Sequence, residues 1–139
     1  IMRYLGLDLG TKTIGLAVSD KTGLIASSLK VLHHDNNPLS CLDELFAIIK
    51  DQNVEALVLG LPKNMDNTLG ARALATLDFK KILESKVDLP IYLEDERLTT
   101  KSAEDVLISA NTSRKKRKQV IDKIAATIIL QSFLDKRRK

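Results

Sequence analysis

Apolar and polar residues alternate almost from the first position of the chain. Leu5, Leu7 and Leu9 fall on one side of an extended run, and Tyr4, Gly6 and Asp8 on the other, which predicts a strand over Arg3 to Leu9. A turn at Gly10-Thr11-Lys12-Thr13 leads to a second strand, Ile14 to Ser19, and a turn at Asp20 to Gly23 leads to a third, Leu24 to Leu32. Three strands joined by short turns predict an antiparallel meander. From Pro38 the period becomes helical, with Leu42, Leu45, Phe46 and Ile49 on one face, and that helix ends near Asn53. Glu55 to Leu61 is a valine- and leucine-rich run stopped by Pro62, the pattern of a buried strand. A polar loop from Lys63 to Thr68, a helix from about Leu69 to Ser85 and a short strand from Pro90 to Leu93 follow. The remainder reads as a helix over Ser102 to Ala110, a mobile basic loop over Asn111 to Lys118, and a last helix over roughly Gln119 to Leu134. Three antiparallel strands and then two helix-connected strands predict an α/β fold, a mixed five-stranded sheet flanked by helices on both faces.

Composition narrows the class. With 139 residues, 44% of them hydrophobic and 29% charged, a single domain over residues 1–139 with its own core is expected, not a disordered chain. The longest apolar runs fall far short of the roughly 18 residues a membrane span needs. The N-terminus enters a strand pattern without a signal-peptide core, which points to the cytosol. A single cysteine, Cys41, excludes an internal disulfide and a multi-cysteine metal site, and its amphipathic setting predicts a small core residue. His33 and His34, with no further histidine, are expected as exposed loop residues and not zinc ligands.

The net charge of +4 is unevenly spread. Residues 114–139 hold ten Lys/Arg against Asp122 and Asp135, a net of +8, so the preceding residues carry a net of −4. Arg114, Lys115, Lys116, Arg117 and Lys118, with Lys136 to Lys139, are dense enough to neutralise phosphates, although a solvated helix end and a frayed tail explain them as well. Three Phe and two Tyr leave little for base stacking, so a nucleic-acid partner would be read through backbone or shape.

Three acidic positions fit a purely structural role poorly. Asp8 interrupts an apolar strand, where a buried carboxylate needs a partner or a metal. Glu94, Asp95 and Glu96 crowd the end of the last strand, where Arg97 offsets part of their repulsion. Asp122 lies at helical spacing between Ile129 and Phe133, within the apolar stripe. Brought together by the fold, such acids make an oxygen-rich site for Mg²⁺ or Mn²⁺. Each also has a local explanation: turn hydrogens for Asp8, Arg97 for Glu96, a helix cap for Asp122. Taken together, beside a basic segment, they favour the metal site. Gly10 to Thr13 offers donors to a phosphate, although a hairpin turn needs no ligand.

Four segments in order, Leu7-Asp8-Leu9-Gly10-Thr11-Lys12-Thr13-Ile14-Gly15, Val58 to Asp66, Asp95-Glu96-Arg97-Leu98-Thr99-Thr100 and Asp122-Lys123-Ile124-Ala125-Ala126, resemble the motifs of the YqgF (RuvX) family over nearly the whole chain. The resemblance implies an RNase H-like nuclease related to the Holliday-junction resolvase RuvC, processing the 5′ end of the precursor of 16S ribosomal RNA. It implies metal ligands at Asp8, Glu96 and Asp122, with Asp95 a rival for Glu96, and a contact to nucleic acid at Asn64. Two positions depart from the pattern: members commonly have glycine where this chain has Asn67, and often proline where it has Ala71.

The expected mechanism is phosphodiester hydrolysis in which Asp8 bridges two ions while Glu96 and Asp122 each hold one. Lys12, Arg97 or the Arg114 to Lys118 segment would hold neighbouring phosphates. Expected partners are pre-rRNA or branched DNA and ribosomal particles, with no membrane. Trimming one RNA end needs only a monomer, whereas symmetric junction cutting favours a homodimer. The alternatives are a non-catalytic RNA-binding ribosome-assembly factor and, on Asp8-Leu9-Gly10-Thr11, an ATP-binding actin-like fragment, for which the chain is too short to supply two lobes.

Overall fold

In a computed structural model describing residues 2–64, 66–96 and 113–137, the predicted alternation folds as β1 (Tyr4–Leu9), β2 (Thr13–Ser19) and β3 (Ala26–His33). A 3₁₀ turn at Pro38–Cys41 leads into α1 (Leu42–Asp51), followed by β4 (Ala56–Leu61), α2 (Ala71–Lys86), β5 (Ile91–Asp95) and α3 (Arg114–Arg137). The five strands form one sheet in the order β3-β2-β1-β4-β5. β1, β2 and β3 pair antiparallel, while β4 runs parallel to both β1 and β5. The helix predicted over Ser102 to Ala110 and Arg97 lie outside the described residues.

Strand alternation gives the sheet two buried faces. Leu5, Leu7, Leu16, Leu57 and Leu59 pack with Leu45 of α1 and Phe79 and Leu83 of α2. Tyr4, Ala17, Ala56 and Val58 pack with Ala126, Ile129, Leu130 and Phe133 of α3. α3 lies close on the sheet because β1 presents Gly6 to it. A Cβ there would stand 2.8 Å from Leu130 Cβ and 3.2 Å from the Ala126 carbonyl oxygen. No described helix is long and apolar enough to cross a membrane.

Three local expectations are corrected. Leu24 and Ile25 belong to a turn and not to β3, because Asp20 accepts hydrogen bonds from both backbone N–H groups, at 2.9 and 3.1 Å, and leaves both side chains exposed. Arg114 to Lys118, expected as a loop, form the first turns of α3. Lys and Arg are good helix formers, and Ser113 Oγ accepts from the Lys116 N–H at 3.3 Å, the bond of an N-cap. His34 is half-buried, not exposed; its Nδ1 accepts from the Asn37 N–H at 3.1 Å. Cys41 is buried, as its setting predicted.

The far end of α3 also runs past its predicted stop at Leu134. Lys136 Nζ pairs with buried Glu94 at 2.7 Å, and the Arg137 guanidinium stacks 5.1 to 5.8 Å from the rings of Tyr92, Phe133 and Tyr4. These two cations therefore fasten the helix to the sheet.

Candidate active site

β1 and β5 are not neighbours; β4 lies between them, and its Gly60 makes room for a contact across it. On the α3 face, Asp8 stands one residue beyond the Leu7–Leu59 pair, and Gly60 is paired with Glu94. Glu96, just past the end of β5, donates its backbone N–H to the Leu61 carbonyl at 3.3 Å. Its carboxyl occupies the space a side chain at position 60 would take: a Cβ on Gly60 would collide with Glu96 Oε2 and stand 2.5 Å from Ile129 Cδ1.

The consequence is electrostatic. Glu96 is 7% exposed, and burial pushes its carboxyl up from 4.5 to about 8, with the nearby Asp8 carboxylate adding to the rise and Arg72 opposing it. Asp8 also hydrogen-bonds Glu96 in a manner that favours the protonated acid. Two acids thus meet at one site, where the proton is held on Glu96 beside the Asp8 carboxylate. The donor set is all oxygen, and the pair is held in a cradle kept open by a glycine. Such a pair fits a hard divalent cation, whose charge lets both groups ionise.

The crowd of acids at the end of β5 is resolved by register. Glu94 turns to α3, where Ser132 Oγ and Lys136 Nζ donate to its Oε2 at 2.8 and 2.7 Å. Asp95 pairs with Leu61, on the opposite parity from Gly60, and is the weakest of the influences on Glu96. Among Asp95 and Glu96, the fold brings Glu96 to Asp8. The backbone at Asp122 lies within α3, four residues before buried Ala126; its side chain lies outside what is described. Lys12, Lys115 and Lys116 are exposed. Arg114, Arg117 and Lys118 are described in backbone only. Asn64 ties its own loop together, its Nδ2 donating to Thr68 Oγ1 at 3.0 Å and its N–H to the Thr68 carbonyl at 2.9 Å.

A family model described as Holliday junction resolvase, RuvX, matches residues 2–136. The chain belongs to the RuvX family. A relative from Geobacillus sp. (strain WCH70), provisionally named a pre-16S rRNA nuclease, is 52% identical over 99% of this chain and 100% of its own length. A relative of the same name from Bacillus subtilis (strain 168) is 50% identical over 96% of this chain and 98% of its own. Among solved structures, T. thermophilus RuvC in complex with a Holliday junction substrate aligns with 99% of this chain and 96% of its own, at a TM-score of 0.56 and 16% identity. The Fowlpox virus resolvase bound to Holliday junction DNA aligns with 99% and 100%, at a TM-score of 0.55 and 13% identity. These likenesses establish the fold, that of RNase H-like resolvases.

Both departures from the RuvX motif are absorbed by the backbone. Asn67 has φ +72°, the left-handed conformation glycine adopts freely and asparagine tolerates best among the rest. Ala71 is the first residue of α2, where proline is favoured but alanine serves. Gly60, which the sequence marks only as part of the second motif, lies inside β4 and not on a loop, and Arg72, a cation in the first turn of a helix against the helix dipole, is not singled out by the sequence as a site residue.

Proposed function

We propose that this RuvX-family chain is a divalent-metal-dependent nuclease that processes the 5′ end of pre-16S ribosomal RNA. The observation that carries the reading is the burial of Glu96 against Asp8 over Gly60. Ordinary folding has no use for two acids pressed together, and their mutual repulsion is relieved by a divalent cation. Asp8, Glu96 and Asp122 would hold Mg²⁺ or Mn²⁺. When bound, the ion activates water and neutralises charge developing on the phosphate oxygens.

The chain's own residues supply the frame. Asp8 and Glu96, fixed by β1 and by the backbone bond after β5, orient the site at the carboxyl ends of the parallel strands, where open α/β sheets bind ligands. Lys12, Arg97 and the Arg114 to Lys118 segment hold neighbouring phosphates, and Asn64 shapes the loop beside them. A substrate of this kind puts the work of the protein in the cytoplasm.

The test is cleavage of labelled precursor ribosomal RNA and of a four-way DNA junction side by side, with Mg²⁺, Mn²⁺ or EDTA, by the wild type and Asp8→Asn. Metal-dependent cutting of the RNA at its 5′ side, lost in the variant, is expected. Cutting of the junction alone would reassign the substrate. Salt-sensitive binding with neither substrate cut would overturn the nuclease reading in favour of a binding factor.

A further inference from the structure

A cleft of about 390 Å³ opens beside the carboxylate pair, with Lys63, Asn64, Gly70, Arg72 and Glu96 in its wall. Its chemistry is divided: Glu96 supplies the acid, while Lys63 from the loop after β4 and Arg72 from the start of α2 supply two cations. Arg72 faces the Glu96 carboxyl and opposes the rise in its pKa, while Lys63 forms no ion pair with an acid of its own loop among the described residues. Among these residues Lys63 Nζ reaches Asn67 Oδ1, a long contact at 3.5 Å on an exposed loop. Arg72 stands in a first turn that holds no acid, where its charge opposes the helix dipole. Its Nη2 donates to the Leu9 carbonyl at 3.3 Å, which anchors the guanidinium, a group with five N–H donors, beside the end of β1.

The position of the cleft gives it a direction. α1 and α2 cover one face of the sheet and α3 the other, and Asp8 and Glu96 stand at the carboxyl ends of the strands between them. The cleft is on the α2 side; the basic start of α3 is on the other. We propose that the cleft binds the phosphate adjacent to the one being cut, on a single nucleic-acid strand that crosses the end of the sheet from α3 to α2. Arg72 grips that phosphate, since a planar guanidinium matches two phosphate oxygens at once, and Lys63 adds a point charge. A volume near the lower end of small-ligand pockets, about 300 to 1,000 Å³, holds one nucleotide unit and not the width of a duplex. This assignment deepens the nuclease reading and rests on it.

The experiment measures binding apart from cleavage. A short fluorescent single-stranded RNA is titrated in EDTA across a salt series against the wild type, Lys63→Gln, Arg72→Gln and Arg72→Lys, with a duplex of the same sequence alongside. Each Gln variant is expected to lose about 0.7 from the slope of log affinity against log salt, one phosphate contact on a single strand. Arg72→Lys should keep the slope and bind several-fold more weakly, because charge remains and the fork is gone. In single-turnover cutting with Mg²⁺, Lys63→Gln should raise the half-saturating concentration several-fold more than it lowers the rate at saturation. If the wild type binds and both Gln variants keep its slope and affinity, the proposal is wrong and the nuclease reading survives. A wild type that neither binds nor cuts overturns both. An equal loss on the duplex overturns the single-strand assignment. Should Arg72→Gln lower the melting temperature sharply, Lys63→Gln alone decides.

Discussion

Replacing Glu96 with glutamine should make the metal-free protein more stable while removing its activity. Glu96 ionises near 4.5 in an unfolded chain and near 8 when folded, chiefly because it is buried and secondarily because Asp8 lies beside it. A carboxyl whose folded value is raised favours the folded state only while protonated. Stability is therefore full below pH 4.5, falls as pH rises from 4.5 to 8, and levels off above. At about 1.4 kcal/mol per unit, the shift corresponds to a loss of about 4 kcal/mol by pH 8, a large share of a total of about 5 to 15. The cost is shared by the pair, so Asp8→Asn should recover part of it. Thermal melts in EDTA from pH 5 to 9 should show a falling midpoint for the wild type and a flat one for Glu96→Gln. The variant should melt higher at pH 8 by on the order of 10 °C. Mg²⁺ should raise the wild-type midpoint at pH 8 and leave the variant unmoved. Identical pH dependence in the two proteins, or a variant that melts lower at pH 8, would refute the account of the pair.

Gly60→Ala forces a Cβ against Glu96 Oε2 and Ile129 Cδ1, and should lower stability by about 1 to 3 kcal/mol in a denaturant titration and abolish cleavage, whereas Ala at an open surface position would do neither. Asn67→Ala should cost about 1 kcal/mol because φ +72° strains a Cβ, while Asn67→Gly folds without that strain. Ala71→Pro should add about 0.4 to 1 kcal/mol in the same titration, since Gly70 is extended, as a residue before proline must be, and position 71 opens the helix. Asp20 is held down to about 2 by Thr22 and the N–H groups of Ile25 and Leu24, so its contribution is present above pH 3.8 and is lost as pH falls through 2. A carboxyl titration followed by NMR should find that low value in the wild type and a higher one, still below 3.8, in Thr22→Val, since the Ile25 and Leu24 N–H groups remain.

Most of this architecture is legible from residue periods. Leu5, Leu7 and Leu9 announce β1, the run before Pro62 announces β4, and the stripe through Ile129 and Phe133 announces the buried side of α3. What periodicity misses is local chemistry or parity. Arg114 to Lys118 carry no apolar period, so their helix is invisible until Ser113 is seen to cap it. Leu24 and Ile25 look like strand until Asp20 is seen to hold their N–H groups. Asp95 and Glu96 are adjacent acids in the chain; the pairing of β5 with β4 sets Asp95 opposite Leu61, and the contact over Gly60 sets Glu96 beside Asp8. Gly60 and Arg72 gain meaning from the elements that converge on them, and no window of sequence contains those contacts.

α3 does two things at once. Its later turns seal one face of the sheet, with Ala126 lying over Gly6, and its earlier turns hold Asp122, the third acid of the proposed site. Asp8 and position 122 are more than a hundred residues apart along the chain, so the proposed site exists only after the longest-range docking in the fold. A copy in which α3 has not docked exposes the apolar face that Tyr4, Ala17, Ala56 and Val58 line and, on the proposed site, lacks its third acid. Surveillance of the open face and silence of the enzyme are thus governed by one event. On the proposed function, such a nuclease would be inert until that docking is complete.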